Sequence, residues 1–180
     1  MEVLLDADKA LKEAGIPYHL HSGTALGSIR SGSFIEHDSD IDLGVFRGDY
    51  NNKLIKAMTR NGFERPTQNG ILKFGKEYTF YHKKTGVNLD IFLVYEDTVK
   101  GEPIYWVASF YGSCDDKKYG LCRWAYRPYV PEPVILNGHK FMTMPVSAIE
   151  DAYGPSWRIP KQFGYYEGVD QGHYTNLISE

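Results

Sequence analysis

Aspartates occupy positions 38, 40 and 42 of the chain. Successive side chains of a β-strand point to opposite faces, so this spacing places Asp38, Asp40 and Asp42 on one face. The opposite face is apolar and can anchor the strand in a core; it consists of Ile41, Leu43 and Val45. Carboxylates this close repel one another, and a bound hard cation would offset the repulsion. The pattern predicts a metal site, with a solvated acidic strand as the alternative.

A second acidic residue, Asp90, lies in a similar frame. Alternation places Asp90 on one strand face with Asn88 and Phe92, opposite an apolar face that starts at Val87. If this strand pairs with the acidic one, three carboxylates converge, as suits one or two Mg²⁺ ions that also bind substrate phosphates. We therefore predict that Asp40, Asp42 and Asp90 are the catalytic metal ligands for Mg²⁺ or Mn²⁺. Asp38 is predicted to contact the substrate or the outer side of the site.

Upstream, Ser22-Gly23-Thr24 falls between a predicted strand and a predicted helix. Backbone N–H groups and the helix dipole attract phosphate at such a junction. The motif alone is weak, because many Gly-Thr turns bind nothing.

Two other uses of these aspartates fail on spacing. An EF-hand loop that started at Asp38 would need glycine at Leu43 and glutamate at Asp49. The Asp-x-Asp of sugar-nucleotide glycosyltransferases normally follows a nucleotide-binding βαβ half, for which about 37 preceding residues barely suffice.

Hydrophobic periodicity predicts the elements that must position these residues. Helices are predicted at 2–14, 24–30, 51–61 and 144–152, and strands at 18–21, 40–46, 63–65, 71–74, 78–82 and 87–95. The strand runs after residue 70 are typical of an antiparallel meander. Residues 100–134 are rich in Gly, Pro and aromatics and receive no assignment.

Composition narrows the class of protein. The 180 residues are 42% hydrophobic, which suits one globular domain. The net charge of −3 argues against counterion-driven nucleic-acid binding. No signal peptide and no membrane-spanning run of about 20 residues is visible, so we expect a cytoplasmic protein or a soluble domain of a longer chain. Cys114 and Cys122 match no zinc or CxxC spacing and are predicted to be structural or surface thiols.

Four motifs taken together resemble the LicD/fukutin family of nucleotidyltransferase-fold proteins. They are Ser22–Arg30, Phe34–Asp42, Leu89–Phe92 and Tyr153–Pro160, in the family's order and spacing. The resemblance covers roughly residues 16–161 and implies an α+β fold like that of DNA polymerase beta, with a mixed twisted sheet flanked by helices. It implies a single domain over residues 1–180, with its core at about 16–161 and a Tyr/Gly-rich C-terminal tail.

The resemblance also implies an activity. Family members transfer a phosphorylated alcohol, such as phosphocholine or an alditol phosphate, from a CDP-linked donor to a hydroxyl of a glycan or small molecule, and CMP leaves. Carried over by position, Asp40, Asp42 and Asp90 would bind metal. Gly23 and Thr24 would contact donor phosphate, with Arg30 nearby as a further partner for phosphate or carboxylate.

This sequence departs from the family pattern at three positions. Glu36 and His37 stand where Pro-Trp is usual, and Ser39 stands where Asp is usual. These departures do not affect Asp40 and Asp42, but they leave the identity of the donor undetermined. Two rival functions also remain: a small-molecule nucleotidyltransferase that leaves the nucleoside monophosphate on its acceptor, and a non-catalytic domain that binds nucleotide or glycan.

Overall fold

The computed structural model describes residues 1–110 and 122–179. These residues form a mixed α+β arrangement in which a mixed open sheet is flanked by helices. The helices are α1 (Glu2–Ala14), α2 (Ser22–Ser31), α3 (Leu54–Arg60), α4 (Val146–Tyr153) and α5 (Tyr165–Asp170). The strands are β1 (His19–Leu20), β2 (Asp40–Phe46), β3 (Thr67–Ile71), β4 (Gly75–Tyr81), β5 (Asn88–Val99), β6 (Glu102–Ser109), β7 (Cys122–Tyr126), β8 (Glu132–Leu136), β9 (His139–Thr143) and β10 (Leu177–Ser179).

The sheet has β2 and β5 near its middle. Its hydrogen-bonded order is β10-β7-β6-β5-β2-β1-β9-β8, and the β3-β4 hairpin branches from β5. Strand β5 has 12 residues and pairs with different strands along its two halves. Its first half pairs with β2 on one edge and β4 on the other, and its second half pairs with β6. Within the predicted antiparallel meander, the pairing of the runs at 78–82 and 87–95 is confirmed by β4 and β5, and the pairings of β3 with β4 and of β5 with β6 extend it.

The first helix follows its sequence prediction. Its buried residues recur at three- and four-residue spacing: Val3, Leu4, Ala7, Ala10, Leu11 and Ala14. The helix ends where Gly15 adopts φ 68°, a left-handed conformation that a residue without Cβ adopts readily. The apolar face of β2 is also buried as predicted, and Leu43 and Val45 are wholly inaccessible.

Several predicted boundaries and two predicted strands are wrong. The helix predicted at 51–61 begins only at Leu54. Phe63 forms an isolated bridge to His82 instead of a strand over 63–65. Of the run predicted as a strand at 71–74, Ile71 ends β3 and residues 72–74 form the connection to β4, because the chain reverses between Gly70 and Gly75, both with positive φ.

The predicted free thiol at position 122 is also wrong, because Cys122 is disulfide-bonded. Cysteine spacing alone could not show this, since a disulfide depends on how the fold brings two cysteines together. Cys114 lies outside the described residues. Within the described part of the chain, none of the helices combines the length and apolar character needed to cross a membrane.

Candidate active site

The central strands bring two predicted site residues side by side. Strands β2 and β5 are parallel, and their register sets Asp42 opposite Asp90. Asp40 lies opposite Asn88 in the same pairing. The predicted pairing of the two acidic strands is therefore confirmed. Residues in register on neighbouring strands project from the same face, so both strands direct polar side chains toward one cavity.

The first turn of α2 and His21, which precedes it, form three hydrogen bonds with Asp42. The Gly23 amide donates to Oδ2 of Asp42 at 3.0 Å, and the Asp42 amide donates to the Thr24 hydroxyl at 2.9 Å. The His21 amide donates to the Asp42 carbonyl at 3.0 Å. Thr24 is 1% exposed and lines neither of the cavities described below. Its place in the fold is that of a residue that positions Asp42.

The start of α2 carries backbone strain. Ser22 has φ 42°, which is uncommon for a residue other than glycine. Its hydroxyl forms a 2.9 Å hydrogen bond with Nδ1 of His21. Burial lowers the pKa of His21 to about 3, so the imidazole is neutral at physiological pH. A buried, neutral histidine thus holds the strained serine at the edge of the site.

These elements surround a cavity of about 430 Å³, which we call the carboxylate cavity. Five carboxyl groups line it: Asp38, Asp40, Asp42, Glu77 and Asp90. Among the described residues, no lysine, arginine or histidine lines this cavity. Such a concentration of one charge is unfavourable unless protons or cations offset it.

The pKa values of the cavity carboxyl groups reflect burial first and this repulsion second. Burial, followed by the charges of Asp40, Asp38 and Asp90, raises the pKa of Asp42 well above its ordinary value. Burial also raises the pKa of Asp90 to about 6, with a smaller contribution from Asp40. Asp38 is exposed as a residue, yet its carboxyl group is largely enclosed beside Asp40, and its pKa rises to about 7. Without a cation, the cavity therefore retains protons near neutral pH.

The chemistry of the donor set fits a hard divalent cation. Carboxylate oxygens of Asp38, Asp40 and Asp42 all lie within 4.8 Å of one another. Asp90 accepts a hydrogen bond from Thr79, but its Oδ1 is buried without a hydrogen-bond partner in the described structure. A buried acceptor without a partner is costly, and a cation between the strands would satisfy it. Asp38, which lies just before β2, joins the group more closely than the sequence prediction required.

Glu77 is a cavity residue that the sequence predictions missed. Strand β4 pairs with β5 so that Thr79 lies opposite Asp90 and Glu77 lies opposite Phe92. Glu77 is only 3% exposed, and burial raises its pKa to about 8, with a further contribution from the charge of Asp90. The available signal was the alternation of Glu77 and Thr79 within β4, which becomes informative only when the pairing with β5 is known.

The C-terminal segment also contributes more than was predicted. Trp157 is 5% exposed and belongs to the core. Beyond the predicted core boundary at about residue 161, four residues of the tail line the carboxylate cavity: Phe163, Tyr166, Tyr174 and Asn176. Trp124 and Tyr126 of β7 line it too. The carboxylate cavity thus combines an acidic face with aromatic walls, an arrangement suited to a metal-bound nucleotide.

Arg30 lies outside the carboxylate cavity. It lines a second cavity of about 190 Å³, which adjoins the carboxylate cavity. The residues common to both cavities are Gly23, Asp38, Tyr153, Phe163 and Tyr174. Of the predicted cofactor-binding residues, Gly23 and Asp38 therefore face both cavities, whereas Arg30 faces only the second.

Gly23 permits the close approach of α2 to the carboxylates. A Cβ at this position would overlap with Oδ2 of Asp38 and lie 3.4 Å from Oδ2 of Asp42. We predict that Gly23→Ala displaces Asp38 and weakens Mn²⁺ binding roughly 10-fold or more, as changes that disturb ligand orientation typically do. Calorimetric titration with Mn²⁺ measures this effect. The matched control is Gly48→Ala, where the added methyl group meets no atom within 4 Å. Equal Mn²⁺ affinities for the two variants would contradict the prediction.

Comparison with known proteins places this site in a family. The LicD/FKTN/FKRP nucleotidyltransferase domain matches residues 15–119, a range that includes Asp38, Asp40, Asp42, Glu77 and Asp90. The mouse protein named Ribitol-5-phosphate transferase FKTN is 33% identical over 165 residues, which cover 88% of this chain and 33% of the mouse protein. The human protein of the same name is 37% identical over 97 residues, which cover 54% of this chain and 21% of the human protein.

A nematode relative extends the comparison. Uncharacterized protein T07A5.1 of Caenorhabditis elegans is 34% identical over 145 residues, which cover 77% of this chain and 37% of the nematode protein. The chain thus spans between 21% and 37% of the length of these three relatives. The family domain covers more than half of the chain and includes every carboxylate of the cavity, so this protein belongs to the LicD/FKTN/FKRP family.

Proposed function

We propose that this chain is a metal-dependent transferase with the nucleotidyltransferase fold, and that it moves an alditol phosphate from a CDP-linked donor to a glycan hydroxyl. The observation that carries the proposal is the parallel register that sets Asp42 opposite Asp90 in the carboxylate cavity. The family membership, and the transfer of ribitol 5-phosphate for which the mouse and human relatives are named, support the choice of group.

The chain offers a defined set of ligands for the metal. We propose that Asp40, Asp42 and Asp90, which line one cavity, hold Mg²⁺ or Mn²⁺. Asp38, whose carboxylate lies within 4.8 Å of those of Asp40 and Asp42, lies at the edge of the same site. When bound, the cation would neutralise charge on the transferred phosphate and orient the attacking and leaving oxygens. The Gly23 amide keeps Oδ2 of Asp42 in place, and the Thr24 hydroxyl fixes the Asp42 backbone. Both contacts reduce the reorganisation needed when donor binds.

The aromatic walls give the nucleotide a binding surface. Trp124, Tyr126 and Tyr174 line the carboxylate cavity, and aromatic side chains stack on nucleobases. The side chain of Asn176 is 7% exposed and lines the same cavity, where an amide can recognise the edge of a base. A CDP-linked donor thus fits with its base among the aromatics and its diphosphate toward the aspartates.

Proton transfer requires a carboxylate that is not engaged by the cation. A carboxylate beside a cation has a lowered pKa and is a weak base. Glu77 lies on β4, outside the two strands that carry the aspartates, and still lines the cavity. We propose that Glu77 accepts the proton of the acceptor hydroxyl. The hydroxyl oxygen then bonds to the phosphorus of the alditol phosphate, and the bond between that phosphorus and the oxygen of CMP breaks.

A doubly labelled donor tests the function directly. The chain is incubated with Mn²⁺, glycan acceptors and CDP-ribitol that carries one label in cytidine and another in ribitol. We expect the ribitol label to become attached to acceptor while the cytidine label is released as CMP. Attachment of the cytidine label would instead establish nucleotidyl transfer, the first rival function. CDP-choline with matched labels shows whether phosphocholine is the preferred group.

A further inference from the structure

Opposite charges are separated between the two adjoining cavities. The carboxylate cavity has five carboxyl groups, whereas the second cavity has one, Asp38, on the shared wall. The second cavity is instead lined by four basic side chains: Arg30, His37, Lys161 and His173. In the described part of the chain, neither Arg30 nor Lys161 has an ion-pair partner. Two cations without partners beside a cavity are available to an anionic ligand.

Two of the four basic side chains, Arg30 and His173, are positioned by packing or helical structure. Arg30 belongs to the last turn of α2. His173 packs its ring on Phe163, with 4.8 Å between ring centroids. The segment around it is tied to α4, because the Thr175 amide donates to the Ala152 carbonyl at 2.9 Å. The cationic wall is therefore built jointly by a helix and by the folded C-terminal segment.

The size of the second cavity restricts its occupant. Its volume of about 190 Å³ is less than half of the 430 Å³ of the carboxylate cavity, so it has room for one sugar ring more readily than for a nucleotide. Trp157 and Tyr174 contribute aromatic surface to its wall, as is common where proteins bind the apolar faces of sugars. The carboxylate cavity has the larger volume and the metal ligands that a nucleotide diphosphate needs.

We propose that the second cavity is the acceptor subsite, and that it recognises a negatively charged group on the acceptor sugar. This assignment rests on the proposed function, which places the donor in the carboxylate cavity. Arg30 and Lys161 bind the anion, either a phosphate or a carboxylate, by charge-assisted hydrogen bonds. The shared wall at Gly23 and Asp38 then sets a hydroxyl of the same sugar toward the donor phosphate.

Equilibrium titration tests this subsite without any need for turnover. Glucose 6-phosphate, glucuronic acid and glucose are titrated into the 180-residue chain, alone and with saturating CDP and Mn²⁺. We expect at least one anionic sugar to bind roughly 10-fold more tightly than glucose, with or without CDP. The tighter of the two anionic sugars identifies phosphate or carboxylate as the preferred group. Arg30→Gln and Lys161→Gln should each raise the Kd of that sugar about 10-fold.

The control for long-range charge is Lys56→Gln, which removes one exposed lysine from α3. It should leave the Kd of the anionic sugar unchanged, and an effect as large as that of Lys161→Gln would overturn the proposal. Glucose that binds as tightly as the anionic sugars, or CDP that displaces them, would overturn it as well. Failure of CDP and Mn²⁺ to bind would contradict the proposed function instead, while the sugar titration of the chain alone would still report on the second cavity.

Discussion

Asp42→Asn should reduce transfer by roughly 100-fold or more, equivalent to about 2.7 kcal/mol of lost transition-state stabilisation. The same substitution should raise the melting temperature of the metal-free protein, because it removes a buried carboxyl whose ionised form is opposed by burial and by Asp40, Asp38 and Asp90. The amide oxygen of asparagine can still accept the hydrogen bond from the Gly23 amide, so the local structure should persist. Labelled transfer and thermal unfolding, with and without Mn²⁺, measure both effects.

The two expected effects of Asp42→Asn have opposite signs, because transfer falls while the melting temperature of the metal-free protein rises. Mn²⁺ should raise the melting temperature of the wild type by mass action and leave that of Asp42→Asn nearly unchanged. For a chain of this length, each kcal/mol corresponds to about 2–4 °C. Asp49→Asn provides the control, because Asp49 is exposed and lies outside both cavities. If Asp42→Asn bound nucleotide and Mn²⁺ as the wild type does, the proposed metal site would be refuted. If the wild type bound both normally but showed no transfer, the non-catalytic function would be favoured.

Glu77→Gln should stabilise the metal-free protein by a few kcal/mol at pH 8 and by little near pH 4.5. Burial raises the pKa of Glu77 from an ordinary 4.5 to about 8. Between these values the folded protein retains a proton that the unfolded chain has released, so folding stability falls as pH rises. The folding stability lost between pH 4.5 and pH 8 amounts to roughly 4 kcal/mol. Glutamine keeps the acceptor for the hydrogen bond from Asn69 and carries no titrating group.

Urea unfolding at several pH values, with a chelator present, provides the comparison. Asp42 and Asp90 contribute to the pH dependence in both proteins, so the difference between the two curves reports the titration of Glu77 together with its interaction with Asp90. Glu96→Gln changes an exposed position of β5, and its free energy of unfolding should depend on pH as that of the wild type does. If the Glu77→Gln curve also ran parallel to that of the wild type, the assigned burial of Glu77 would be incorrect. Because Glu77 is proposed to accept the acceptor proton, the variant should also lose about 100-fold in transfer rate despite its greater stability.

Local periodicity is sufficient to predict which strand faces carry the carboxylates of the site. The spacing of Asp40 and Asp42 against Ile41 and Leu43 fixes which side of the strand is acidic, since strand side chains alternate regardless of the rest of the chain. The same rule applied to the strand around Asp90. The end of α1 at Gly15 was equally local, because left-handed backbone favours glycine. The motif order then indicated the family, which the domain match at residues 15–119 confirms.

Tertiary structure decided which faces meet and what completes the site. Glu77 enters the carboxylate cavity only because β4 pairs with β5, and Tyr174 enters it only because the tail folds back on α4. Thr24 is predicted from its motif to contact phosphate, yet the fold encloses its hydroxyl against Asp42. These outcomes depend on contacts between residues far apart in the chain, which a local pattern does not encode. The acidic strand was therefore determined by the sequence itself, whereas the separation of acidic and basic cavities arose from the way distant segments pack.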